Sequence, residues 1–154
     1  MNTNIYSPYY VDSDNQRDLD ILLERTFSLG DSSRHVLLSA DTPCFIQTLG
    51  LIFDLSENQS SNLSRIVRDI ILGDTFIGNM TTEIEKRLNL PPETAQQIRN
   101  KIINELFAPA IEDIKKVQRE KFANKIGNQL QTPAPKPPTD INPGNVVNLR
   151  DKQQ

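Results

Sequence analysis

The sequence predicts an all-α protein: a compact bundle of about five or six helices over residues 14–131, with a flexible stretch at 1–13 before it and a disordered, proline-rich tail at 132–154 after it. Three observations carry this. Apolar residues recur at helical spacing in successive blocks between Leu19 and Ile126. The blocks are bracketed by residues that start or stop helices, notably Ser56, Gly73, Pro92 and Pro109. Five prolines then fall between Pro133 and Pro143, where almost nothing apolar is present to offset the entropy of ordering them.

In chain order, Asp14 is an N-cap for a helix near 15–28 carrying Leu19, Leu22, Leu23 and Phe27, and Gly30 is its stop. Residues 31–40 stay unassigned, because Val36, Leu37 and Leu38 form a run too short to separate strand from helix. Thr42 as cap and Pro43 in the first turn open a helix with Phe45, Ile46, Leu49, Ile52 and Phe53 on its inner stripe. Ser56 and Gln59 have the spacing of a capping box ahead of Leu63, Ile66, Val67, Ile70 and Ile71, a full match to the amphipathic template, and Gly73 ends that helix.

Thr82 and Glu85 have the same spacing and open a short helix to Leu88. Pro92 starts another over 92–107, burying Ala95, Ile98, Ile102, Ile103, Leu106 and Phe107. Pro109 lacks an N–H and should end or kink it. A last helix over 110–126 would turn Ile111, Ile114, Val117, Phe122 and Ile126 inward and Lys115, Lys116, Arg119, Lys121 and Lys125 outward.

Sliding the chain by 35 residues lays "FDLSENQSSNLSRIVRDIIL" over "LNLPPETAQQIRNKIINELF", so that Leu63, Val67, Ile71 and Leu72 fall on Ile98, Ile102, Leu106 and Phe107. Ile66 against Lys101 and Arg68 against Ile103 break the match. Duplication and two independent hairpins both remain open; either gives a pair of helix–turn–helix units at the centre of one globular bundle.

With 36% hydrophobic residues, no Trp and a mean hydropathy of -0.48, the chain has apolar material for one core. The net charge of -3 hides a gradient: nine acidic against three basic residues from Met1 to Ser60, six of each from Ser61 to Ala108, and five against eight from Pro109 to Gln154. Cys44 and His35 are the only residues of their types, which leaves no internal disulfide and no Cys/His zinc site. Met1 to Val11 has neither a basic start nor an apolar run, and no segment of membrane-spanning length occurs, so a cytoplasmic protein with no membrane span is expected. The sequons at Asn58, Asn62 and Asn79 are then chance matches.

The stretch from Asp41 to Phe122, with "LGD", "RLNLPPE" and "ELFAPAIEDIKK", followed by a proline-rich linker and "NVVNLR", resembles uncharacterised small helical proteins of bacteria. The resemblance covers about half the chain and its tail. It implies a helical architecture and a bacterial cytoplasmic setting, and no activity.

Two functional readings follow. In "TEIEKRLNLPPETAQQIRNKI" the phase of Ile84, Leu88, Leu90, Ala95 and Ile98 resembles that of a DNA-binding helix–turn–helix, whose second helix would expose Gln96, Gln97, Arg99, Asn100 and Lys101 to bases and phosphates. Glu85 stands where a small residue is preferred, Asn89 where glycine is, and the region carries no net positive charge, although phosphate neutralisation dominates such affinity. DNA is therefore the alternative partner. The preferred reading is a non-enzymatic module for a protein partner, with Ile141, Val146, Val147 and Leu149 as an apolar docking segment on the tail. Pro135 and Pro138 have proline-x-x-proline spacing, which in a linker is usually a spacer.

Catalysis is not expected. Cys44, in the first turn of an apolar helix, reads as a small buried thiol, and His35 as a surface histidine. The acids Asp12, Asp14, Asp18 and Asp20 fail the calcium-loop pattern, with Arg17 in place of its glycine and Leu23 in place of its glutamate. No glycine-rich phosphate loop occurs, so no cofactor is expected. Glu120 and Asp113 interrupt the basic face of the last helix, which weakens a membrane-surface role.

Overall fold

A computed structural model describes residues 3–9 and 16–129. Asp12, Asp14 and the tail, including Ile141, Val146, Val147 and Leu149, lie outside the described residues. Among the described residues there is no strand and there are seven α-helices: α1 (Gln16–Phe27), α2 (Asp31–Leu38), α3 (Asp41–Ile52), α4 (Glu57–Ile71), α5 (Met80–Leu88), α6 (Pro92–Lys101) and α7 (Ile111–Gln129). The all-α fold is the one the sequence predicts. The helix beyond the expected five or six is α2, in the stretch the sequence leaves unassigned.

The bundle is built around α4, against which α2, α3, α5, α7 and the 3-10 turn Thr3–Tyr6 all pack. Leu63, Ile66, Val67, Ile70 and Ile71 are fully buried, and Ser60, Ser61 and Ser64 keep the other sides of the helix thin enough for close neighbours. Its start is the expected capping box: Gln59 N donates to Ser56 Oγ at 3.2 Å and Ser56 N to Gln59 Oε1 at 2.9 Å. The same glutamine donates through Nε2 to Leu88 O at 2.7 Å, so one side chain serves the beginning of α4 and the end of α5.

The forming of α2 has a physical cause that lies far along the chain. Its N-terminal residue in the cap position, Gly30, offers no side chain; instead Asp113 of α7 accepts from Ser33 N at 3.3 Å. A Cβ on Gly30 would come within 2.3 Å of Asp113 Oδ2, so glycine here permits a close approach. It stops no helix, as the sequence had implied, because α1 already ends at Phe27.

Within the stretch expected to be a flexible N-terminus, residues 3–9 pack on the core: Pro8 is buried and Ser64 Oγ donates to Tyr6 O at 3.0 Å. Other expectations also give way. Helix α3 begins at Asp41, and Thr42 is spent on fastening α2, its hydroxyl donating to Val36 O at 2.5 Å. Helix α5 begins at Met80 with no side-chain cap, so Thr82 and Glu85 form no box. The helix from Pro92 continues as a π turn over Ile102–Leu106, closed by Phe107 N to Ile102 O at 2.8 Å. Widening there ends the regular helix ahead of Pro109, whose ring would meet the carbonyl of Glu105. Phe27 and Ile52, expected inside, are 61% and 56% exposed.

Helix α7 bends at Phe122 (φ -125°, ψ 30°). It is held by Gln118, only 2% exposed, which donates to Ile70 O (2.9 Å) and Thr75 O (3.0 Å) and accepts from Ile77 N (2.9 Å). Replacing Gln118 by Ala should lower the free energy of unfolding by about 2 kcal/mol, since buried backbone groups lose their partner. Asp113→Ala, which removes a cap, should cost about 1 kcal/mol. Urea unfolding followed by circular dichroism measures both.

Candidate functional site

The two hairpins at the centre share one turn. Helix α3 is closed by Asp54 in the left-handed region (φ 52°) with Leu55 N bonded to Gly50 O at 2.8 Å. Helix α5 is closed by Asn89 (φ 52°) with Leu90 N bonded to Glu85 O at 3.2 Å. These positions are 35 apart throughout, the offset of the sequence match. Burial follows the same register: Leu49 with Ile84, Ser60 with Ala95, Leu63 with Ile98, Val67 with Ile102, Ile71 with Leu106 and Leu72 with Phe107 are buried at both members of each pair.

The equivalence makes α5 an internal control for α3. On the solvent side of α5 stand Asn79 just before the helix, then Glu83, Lys86 and Arg87; Arg87 is hydrogen-bonded to Glu83 and to Asp69, each at 2.8 Å. The matching positions of α3 hold Cys44, Thr48, Leu51 and Ile52, with Leu51 81% exposed and Ile52 56% exposed. Spaced at 4, 7 and 8 residues from Cys44, they form one strip along the helix. The rotation of α3 is set by Gly50, where a Cβ would lie 2.8 Å from Ser60 Oγ; the helix comes close to α4 there and turns Leu51 and Ile52 away from it.

At the N-terminal end of this strip a cleft of about 310 Å³ opens between the start of α3, the end of α2 and the N-terminal turn, lined chiefly by Tyr6, Leu38, Ala40, Pro43, Cys44 and Gln47. Leu38 is 49% exposed. Cleft and strip adjoin at Cys44, with Thr48, whose hydroxyl donates to Cys44 O at 2.8 Å, between it and Leu51. Cys44 is exposed, not buried as its place in an apolar helix had implied, because the first turn of α3 directs it toward the cleft. His35 is exposed on α2 and does not line the cleft, and among the described residues lining it there is no histidine or carboxylate. Among the described residues no group of three or more His, Cys, Asp or Glu is placed to hold a metal ion.

A second cleft, of about 210 Å³, lies between α1 and α4. Its charges are matched internally, Arg25 with Asp74 at 2.6 Å and Arg68 with Asp69 at 3.3 Å, and leave little field for a charged ligand.

The nucleic-acid candidates lie together on the outside of α6. Gln96 and Asn100 are linked at 3.1 Å, Gln96 accepts from Thr81 at 3.0 Å, Arg99 reaches Asn100 at 3.2 Å, and Lys101 pairs with Glu105 at 3.2 Å; Gln97 is exposed beside them. Asn89 does what glycine would do in the turn, so its presence costs the motif nothing in geometry. The electrostatics are less favourable. Glu83 and Asp69 hold Arg87, Glu105 holds Lys101, and on α7 Lys115 is hydrogen-bonded to Glu112 at 2.8 Å, which lowers that carboxyl's pKa.

No protein-family model, curated protein or solved structure matches this chain. Among the described residues no helix is long and apolar enough to cross a membrane.

Asn89→Gly should leave stability nearly unchanged, whereas Asn89→Val, which places a branched side chain at positive φ, should cost about 1–2 kcal/mol. Thermal unfolding of the two variants separates these outcomes.

Proposed function

We propose that the protein is a non-enzymatic interaction module of the cytoplasm that binds a protein partner through the α3 surface, with the segment Ile141, Val146, Val147 and Leu149 as a second, tethered contact. One observation carries the reading. Two hairpins of matching turn and burial differ on their outer faces, Leu51 and Ile52 against Lys86 and Arg87, so folding alone does not require apolar residues there. Exposed large apolar side chains on a helix that also lines a cleft are a common form of docking site. A tether that adds a second contact raises the local concentration of the first without new affinity in either.

The alternative is a DNA-binding regulator that reads bases with Gln96, Gln97, Arg99, Asn100 and Lys101. The left-handed turn at Asn89 favours it, and the carboxylates around Arg87 and Lys101 weigh against it.

Leu51→Glu with Ile52→Glu in the full chain should abolish capture of the partner from the native host. Stability should fall by no more than about 1–2 kcal/mol, because both side chains face solvent and the cost is that of two carboxylates at the negative end of the α3 dipole. Capture that survives in full would overturn the α3 reading. Duplex binding at low salt that weakens steeply with added salt, with a flatter slope after Arg99→Ala and Lys101→Ala, would establish the alternative.

A further inference from the structure

We infer that in the protein without its partner the α3 surface is occupied by the chain's own C-terminal segment, Val146 to Arg150, which the partner must displace. This rests on the α3 docking reading and adds a regulator to it. Three features of the molecule point to the chain itself as occupant.

The first is reach. Sixteen residues, Leu130 to Asn145, connect the end of α7 to the segment. They span from about 20 Å as a coil to about 55 Å when extended, against a radius of gyration of about 13 Å for a domain of this size. No point on the domain is beyond the segment.

The second is the match of lengths. From Cys44 to Leu51 the helix rises about 10 Å, and four residues from Val146 to Leu149 in extended form cover about the same distance. Side chains alternate in an extended segment, so Val147 and Leu149 face α3 together, about 7 Å apart, with Val147 toward the Cys44 end and Leu149 toward Leu51 and Ile52.

Charge supplies the third. Helix α3 carries no basic residue in its last turn, and the exposed acids Asp54 and Glu57 follow it, so the negative end of its dipole is reinforced rather than offset. With the segment running parallel to α3, Arg150 follows Leu149 to that end. The wider gradient has the same sense, since the first 60 residues are acidic and the chain after Pro109 is basic.

The test uses the thiol that the structure places at the cleft. Cys44 is the only cysteine, so the rate of its alkylation by a maleimide in the full-length protein reports cover at that point alone. A tethered segment at an effective concentration on the order of millimolar, with intrinsic affinity near 0.1 mM, covers the surface about nine-tenths of the time and slows alkylation roughly tenfold.

Val146→Asp with Val147→Asp, outside every described helix, should restore the fast rate at an unchanged melting temperature. Arg150→Glu should restore part of it, more at low salt. A free peptide of residues 141–152, added to the double variant, should slow it again in a saturable way.

Equal rates in wild type and the double variant would overturn the inference. So would protection that grows with protein concentration, which would make a second copy the occupant. Either result, with capture of the partner still lost in the Leu51→Glu and Ile52→Glu variant, leaves the docking reading standing. Tail-dependent protection together with capture that ignores Leu51 and Ile52 sinks the docking reading instead.

Discussion

The burial of one face of α4 is the constraint on which the other helices depend. A helix with Leu63, Ile66, Val67, Ile70 and Ile71 out of water, and Ser60, Ser61 and Ser64 buried beside them, must have that face covered, while Asn62, Arg65, Arg68 and Asp69 stay partly open. Five elements share that task, and each is then fixed in rotation by what it offers α4. Gly50 brings α3 close, Gln59 joins the end of α5, Ser64 holds the N-terminal turn, and Gln118 secures α7 to the loop that follows. Once α3 is set by the Gly50 contact, the direction in which Leu51 and Ile52 point is decided as well. The candidate surface is thus a by-product of how the core closes, furnished with side chains the core does not need.

How much of this the sequence displays depends on where the determining contacts lie. Helix α4 is legible because its period, its capping box and its stop are all local. The end of a helix ahead of Pro109 and the stop at Gly73 were legible for the same reason; the π turn over Ile102–Leu106 was not. Helix α2 was not, because its cap is Asp113, 80 positions away, and Gly30 acts by leaving room for that carboxylate. Gln118 was missed because a glutamine on a charged helix reads as surface, although here it replaces three backbone partners.

The site was partly visible. Gln96, Gln97, Arg99, Asn100 and Lys101 do share an exposed face, as their spacing on one helix implies. The α3 surface was hidden for the opposite reason: "DTPCFIQTLGLI" is apolar on nearly every side, so periodicity cannot say which side faces out. Ile52 was placed inside and Cys44 was taken as buried for this reason. Only the comparison with α5, in the same register and with polar residues at the same positions, separates what the core requires from what it tolerates.

The clamp made by Gln118 has a kinetic side. Its partners are 41 to 48 residues away, and the Asp113 contact to α2 spans 80, whereas α3 to α6 join neighbours along the chain. Contacts that close long loops return their energy late, so folding is expected to form the central hairpins before α7 docks on them. Loss of α7 would uncover the side of α4 at Ile70 and release the cap of α2. The terminal segment follows a helix whose hold on the bundle rests on contacts distant along the chain, so a pull on that segment is passed to the Gln118 clamp and, through Asp113, to α2.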